Sequence, residues 1–325
     1  MLKAHYDHRG PVPQDVISAE PLTLPALGAT QARVKVLASP INPSDVLTLT
    51  GQYGMLPPLP AVGGNEGVGE VVKVGAEVKH LKAGQMVLLP VGCGTWVSQL
   101  QAEAKQLIPL PAGDAKQLAM MTINPPTALL MLTQFVDLKP GDWVIQNAAN
   151  SAVGGYLIQL AKIKGLKTIN VVRRDSAVDA VKAQGADVVL VDGPDLPKRV
   201  AAATNKAPVM LGIDAVGGAA TDHVAASLSQ GGVLVNYGMM SGEPCQVSPA
   251  SFVFRDVTLK GFWLAQWFQK ATPEEQMKVF GELTGLIASG QLTSRIHACY
   301  PLEQIKEAVT AAAAGERDGK ILITP

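Results

Sequence analysis

The run Asp142-Trp143-Val144-Ile145 leads into Gln146-Asn147-Ala148-Ala149-Asn150-Ser151-Ala152-Val153-Gly154-Gly155 and then into Tyr156-Leu-Ile-Gln-Leu-Ala-Lys-Ile-Lys164. The first piece reads as a buried strand, the last as an amphipathic helix, and the middle as the tight turn between them. In that order they form the setting in which a glycine-rich loop holds a dinucleotide pyrophosphate. Two of the three glycines such a loop uses are replaced, by Ala149 and Ser151. Ala149 serves the turn if its torsions are ordinary, and Ser151 is small enough to let phosphates reach the backbone. Gly154 keeps the third position, where a side chain would push the helix off the strand. Asn150 and Ser151 add polar groups at a helix N-terminus, whose N–H groups and dipole favour an anion. Taken alone, the loop fits a ligand-free helix cap as well as it fits a cofactor site.

Outward from the loop, strand-like runs at 143–145, 168–172, 188–191, 210–216, 233–237 and 258–263 alternate with helical patterns such as 176–184 and 219–229. Alternation with short connections implies βαβ units and a doubly wound parallel sheet, an α/β Rossmann architecture. The second strand ends in Arg173-Arg174-Asp175, about 20 residues past the loop, the spacing of the fingerprint. A carboxylate there would bind the ribose 2′-hydroxyl of NADH. Two guanidiniums suit a 2′-phosphate through charge-assisted bonds, so the cofactor expected is NADPH.

Before residue 112 the texture differs, with Gly, Pro and short runs such as Arg33-Val-Lys-Val-Leu37 and Gly69-Glu-Val-Val-Lys-Val74. It reads as a β-rich, partly open barrel-like domain. The end, Lys320-Ile-Leu-Ile-Thr324, returns to a strand pattern. We therefore expect a β-rich catalytic domain from residues 1–112 and 290–325, and an NADPH-binding Rossmann domain from 113–289.

Composition limits the function. The chain has 325 residues, formal net charge +0 and 47% hydrophobic residues, which argues for large cores and against nucleic acid or a membrane surface as partner. Every apolar run is interrupted before it could span a bilayer. Cys93, Cys245 and Cys299 are isolated, and the five histidines show no ligand spacing. These features and a start without secretory or transit character point to a cytoplasmic protein without disulfides.

The loop and strand segments at 141–151 and 168–173 resemble the medium-chain dehydrogenase/reductase superfamily. Within it the chain is similar to the zinc-free 2-enoyl thioester reductases of the mitochondrial type. Asn42-Pro-Ser-Asp45, Gly51-Gln-Tyr-Gly-Met-Leu-Pro57, Pro60-Ala-Val-Gly-Gly-Asn-Glu-Gly67, Asn236-Tyr-Gly238 and Lys260-Gly-Phe-Trp-Leu-Ala-Gln-Trp267 carry the resemblance over nearly the whole length. Ala152 departs from it, since the family usually has Gly there. The resemblance implies a GroES-like catalytic domain split around the Rossmann domain, with the active site in the cleft. Zinc-dependent relatives carry Cys near Asn42 and His at Asn65, and amides are poor substitutes for these ligands, so no metal is expected.

The family's proton donor maps onto Tyr53. Cofactor contacts carry over to Asn124, to Asn150, Ser151, Ala152, Val153 and Gly154, and to Arg173, Arg174 and Asp175. They extend to Tyr237, Gly238, Met239 and Met240, to Phe262, Trp263, Leu264 and Ala265, and to Lys320. The aromatic run at 262–268 is unusual in a chain with 5% aromatics, and an acyl tunnel or a dimer contact would explain it. The activity implied is NADPH-dependent reduction of an enoyl thioester on coenzyme A or acyl carrier protein, by a homodimer. A quinone reductase of the same superfamily and a non-catalytic NADPH-binding protein are the alternatives.

Overall fold

The computed structural model describes residues 1–315 and 317–325. The chain divides into two units, Met1–Ile123 with Phe280–Pro325, and Asn124–Val279. The boundaries expected near 112 and 290 differ because two helical segments belong with the first unit. Gln117, in α2 (Ala115–Leu118), exchanges hydrogen bonds with the backbone of Ser294. Thr284, in the later part of α10 (Pro273–Ala288), donates to Met121 Sδ.

In the first unit, β1 (Leu2–Tyr6) lies between β2 (Ser18–Pro21) and β4 (Ala61–Val62) in a small antiparallel sheet. A larger sheet is built on β3 (Gln31–Ile41), where buried Ala32, Val34, Val36 and Ala38 alternate with less buried Arg33 and Lys35. One side of β3 pairs antiparallel with β5 (Val68–Val74), which continues to β6 (Met86–Leu88) and β8 (Ile108–Pro109). Its other side takes β7 (Gln99–Glu103) along the first half. At the second half it takes β16 (Lys320–Ile323), antiparallel, with β15 (Ile296–Tyr300) parallel to β16. The C-terminal tail thus completes a sheet begun near the N-terminus. Helix α11 (Ile305–Ala313) buries Ile305, Ala308, Val309 and Ala312 in the core beneath β1 and β16.

Helix α1 (Pro43–Thr50) follows β3 directly. Asn42 is its N-cap, Pro43 occupies the first turn, and the Asp45 carboxylate accepts from the Asn42 backbone N–H at 2.7 Å. Gly51 ends the helix in the left-handed region, φ 79°, and its N–H reaches Thr48 O.

In the second unit, α3 (Asn124–Gln134) precedes six parallel strands: β9 (Trp143–Gln146), β10 (Lys167–Val172), β11 (Val188–Val191), β12 (Val209–Asp214), β13 (Val233–Asn236) and β14 (Thr258–Gly261). Their order is β11-β10-β9-β12-β13-β14, the dinucleotide-binding order, and the chain direction across the sheet reverses between β9 and β12. The connections carry α4 (Ala152–Ile163), α5 (Val178–Lys182), α6 (Leu196–Ala203), α7 (Gly218–Ser227) and α8 (Pro249–Arg255), and α9 (Leu264–Lys270) follows β14. Strand β12 stops two residues before the expected 216, because Asn147 Oδ1 takes the Ala215 N–H and Asp214 Oδ1 takes that of Val216. The strand expected over 258–263 stops at Gly261, and the aromatic run turns into α9 with Trp263 as its N-cap. Among the described residues no helix is long and apolar enough to cross a membrane.

Candidate active site

The loop after β9 is built by close packing and capping. Ala148, rather than Ala149, takes the left-handed torsion, φ 47°, which costs an alanine about 1 kcal/mol. Ala149 is fully buried, and its N–H reaches back to Val171 O of β10. Ser151 caps α4, its side chain accepting from the Gly154 N–H at 3.1 Å. A Cβ at Gly154 would lie 2.5 Å from Ala149 O, so no side chain fits between helix and strand there. The glycine that the sequence retains is the one the packing requires. Asn150 is exposed at the tip of the turn, Ala152 is partly exposed in the first turn of α4, and Val153 is buried.

The other expected cofactor residues of this unit follow the carboxyl ends of strands in the same sheet, where open α/β sheets bind ligands. Arg173 and Asp175 are exposed and Arg174 partly so, all just past β10. Tyr237 and Gly238 continue β13, with Met239 and Met240 exposed at 62% and 66%. Tyr237 reaches back to hydrogen-bond with Ser151, and burial pushes its phenol up from the usual range, with Asp214 adding to the effect. Beyond β14, Trp263 is 40% exposed, Leu264 is buried, and Phe262 meets Phe135 edge-on at 6.2 Å between centroids. Asn124 is buried at the start of α3.

Beneath these strand ends lies a node that motif spacing does not reveal. Asp214 is fully buried at the end of β12, and its carboxylate accepts five hydrogen bonds. Oδ1 takes Asn147 Nδ2 at 2.5 Å and the N–H groups of Val216 and Gly217. Oδ2 takes the Thr221 hydroxyl at 2.7 Å and Asn236 Nδ2 at 2.9 Å. The node ties β9, β12 and β13 together at the edge that carries the loop. Gln146 adds a second tie, donating to Gly154 O and to Asn170 Oδ1. The available signal is the polar residue that ends each of β9, β12 and β13, namely Gln146, Asp214 and Asn236.

In the first unit Tyr53 is half-buried just past α1, where the N–H groups of Gln52 and Tyr53 both reach Leu47 O, at 2.8 and 3.2 Å. The other end of α1 enters a buried polar cluster. Asn42 Nδ2 donates to Glu66 Oε1 at 2.7 Å, and Lys320 Nζ donates to Asn42 Oδ1. Glu66 Oε2 accepts from the N–H groups of Thr122 and Ile123, at 2.9 and 3.0 Å. Asn65 Nδ2 donates to Asp45 Oδ1 at 2.7 Å. Burial raises the Asp45 carboxyl to about 6 against the pull of its hydrogen bonds and of Lys320. Burial likewise raises Glu66 and lowers Lys320, and their mutual attraction opposes both changes. Lys320 is 4% exposed, so what the structure shows of it is a charge held inside this cluster.

The side chains of Asn42 and Asn65, where the resemblance puts the ligands of zinc-dependent relatives, each donate to a buried carboxylate, Glu66 and Asp45. Among the described residues no group of three His, Cys, Asp or Glu side chains could hold a metal ion.

Comparison with known proteins gives the family. The family described as alcohol dehydrogenase GroES-like domain matches residues 28–113, and the one described as zinc-binding dehydrogenase matches 152–280. The mitochondrial enoyl-[acyl-carrier-protein] reductase of Rattus norvegicus is 40% identical over 307 residues, covering 92% of this chain and 82% of the rat protein. A solved complex of Etr1p with NADP and crotonyl-CoA superposes with TM-score 0.90 at 28% identity, over 100% of this chain and 99% of that one. A putative NADPH:quinone reductase from Bacillus thuringiensis superposes with TM-score 0.90 at 30% identity, over 100% and 98%. One expectation is corrected by these relatives. The cytoplasmic location does not stand, because the rat, human and mouse proteins are named as mitochondrial. Isolated cysteines suit any reducing compartment and cannot tell one from another. The chain belongs to the zinc-free 2-enoyl thioester reductase family of the medium-chain dehydrogenase/reductase superfamily.

Proposed function

We propose that this protein reduces trans-2-enoyl thioesters to saturated acyl thioesters with NADPH, the acyl chain being carried on coenzyme A or acyl carrier protein. The observation that carries the reading is the full-length similarity to the Etr1p structure described with NADP and crotonyl-CoA. NADPH, when bound, supplies the hydride that adds to the β-carbon.

The chain's own residues fit that cofactor. The start of α4, capped by Ser151, turns its positive dipole end at Asn150 to Gly154 toward the pyrophosphate. Arg173 and Arg174 meet the 2′-phosphate, with Asp175 beside them. Tyr237 to Met240 and Phe262 to Ala265 line the nicotinamide side, with Asn124 as a further contact; Lys320, expected as another, is instead held in the buried cluster by Asn42. As the β-carbon is reduced, negative charge builds on the thioester oxygen and the α-carbon. The Tyr53 hydroxyl stabilises that charge by hydrogen bonding and delivers its proton to the α-carbon; solvent then reprotonates the tyrosinate.

Loss of reduced-nicotinamide absorbance with crotonyl-CoA, trans-2-decenoyl-CoA and a benzoquinone tests this reading. Tyr53→Phe lowers enoyl-dependent kcat on the order of 10²-fold. Quinone turnover alone, indifferent to Tyr53, would establish instead the second reading, which the Bacillus thuringiensis neighbour favours. In the same assay Arg173→Ala and Arg174→Ala each weaken NADPH about 10-fold. They leave NADH affinity nearly unchanged; equal losses for both cofactors would remove the arginines from the 2′-phosphate site.

A homodimer is the assembly we favour. Among the described residues β14 pairs with β13 alone, and neighbouring α8 exposes Phe252, Val253 and Phe254 at 43%, 70% and 77%. Sedimentation should give a dimer for the wild type and a monomer for Phe254→Glu; a monomeric wild type would overturn this.

A further inference from the structure

Glu66 has no exposed surface and takes no part in the proton transfer assigned above. Its carboxylate nevertheless joins two parts of the first unit. One oxygen accepts from Asn42 Nδ2, the side chain of the N-cap of α1. The other accepts from two successive backbone N–H groups, Thr122 and Ile123. A three-donor buried carboxylate of this kind holds a fixed geometry, because any shift leaves a buried donor unpaired.

Helix α1 meets that tie at its first turn. Leu49 is buried in the core with Val46 packed against it, and the other buried residues of the helix are Asp45 and Thr48. Asp45 and Thr48 are polar. Asp45 is bound to the same cluster through the Asn42 N–H and Asn65 Nδ2. The far end of the helix leads through Gly51 to Tyr53, whose N–H is still bonded to Leu47 O of the last turn. Arg9 holds the loop beyond. Its side chain packs on Gly51, and its Nη2 donates to Pro57 O. The loop is thus bonded to the last turn of α1 at Tyr53 and to Arg9 at Pro57.

We propose that Glu66 is a positioning residue for Tyr53: it fixes the N-terminus of α1 against the Thr122–Ile123 backbone, and the two-turn helix carries that placement to the phenol. The inference rests on Tyr53 being the proton donor. Glutamine cannot replace the carboxylate, because its amide NH₂ must face either the Asn42 amide donor or the two backbone N–H groups. Asn42 cannot simply turn over, since its Oδ1 holds the Lys320 ammonium.

The test is a double-mutant cycle on crotonyl-CoA reduction with wild type, Tyr53→Phe, Glu66→Gln and the double variant, together with NADPH titration of each. Glu66→Gln should lower kcat about 10-fold, as a small misplacement of a catalytic group does, with KM for NADPH within about twofold. In the Tyr53→Phe background the same change should cost less than about twofold, because the group it positions has gone. Equal losses in the two backgrounds, or a loss confined to KM, would overturn the positioning role while leaving the enoyl reductase reading intact. Enoyl turnover indifferent to Tyr53→Phe would overturn the reading itself, and the positioning role with it. Should Glu66→Gln fail to fold, Asn42→Ser keeps a capping oxygen but is too short to reach Glu66, and the same non-additivity is expected of it.

Discussion

Each unit buries carboxylates beside its candidate functional residues, and the two solve the problem of desolvation differently. Asp214 is surrounded by five neutral donors from Asn147, Val216, Gly217, Thr221 and Asn236. These donors stand in for a shell of water. Asp45 and Glu66 have fewer donors each and share the charge of Lys320 through Asn42. A carboxylate saturated by neutral donors is scaffolding that any loss of charge or donor breaks. A cluster of two carboxylates and an ammonium has several protonation states close in free energy, so its stability varies with conditions.

The largest effect that can break this comparison comes from Asp214→Asn. An amide NH₂ would face donors on whichever side it lies, and at least one buried donor would be left unpaired. The expected cost is about 3 kcal/mol, seen as a fall of roughly 10 °C in the melting transition of the variant. Because the node joins the ends of β9, β12 and β13, NADPH affinity should fall as well. Glu66→Gln should cost less stability at neutral pH, since it also removes a buried charge that is expensive to keep. Calorimetry of the two variants side by side decides the matter, and a reversed ranking would show that the cation, not the donor count, does the stabilising.

Which of these features could be read from the sequence depends on how local their causes are. The β9–α4 loop, the arginine pair after β10 and the alternation of strands and helices rest on neighbours in the chain, and all stand close to where spacing puts them. Within the loop, the left-handed residue is Ala148 instead of the alanine beside it, because hydrogen bonding of Ala149 to Val171 decides which peptide turns. The aromatic run past β14 shows a different limit. A strand and a helix start are both compatible with Phe262-Trp263, and only the end of pairing at Gly261 separates them. The polar cluster was beyond reach of spacing altogether. Asp45 and Glu66 stand in recognisable motifs, but Lys320 lies 278 positions from Asn42, and only the pairing of β16 with β3 brings them together. The same holds for Asp214, whose partner Asn147 is 67 positions away.

The smallest effect, and the most specific to the cluster, is on the pH dependence of stability. Burial raises Asp45 to about 6 and also raises Glu66, so the folded chain holds protons that the unfolded chain has already released. The stability these groups contribute is therefore complete below their unfolded values near 4 and is lost as pH rises through the folded values. Lys320 acts in the opposite sense. Its lowered value means that its contribution is complete in alkali and declines as pH falls through the folded value, above the carboxylate range. Between pH 5 and 7 the carboxylates dominate, and the melting temperature of the wild type should fall with rising pH. Glu66→Gln removes one of the two titrating acids, so its melting temperature should fall less over the same interval, by about 3 °C. Scanning calorimetry at several pH values measures both slopes. Parallel curves for the two proteins would mean that Glu66 keeps one protonation state throughout, and the cluster would then be as rigid a scaffold as the Asp214 node.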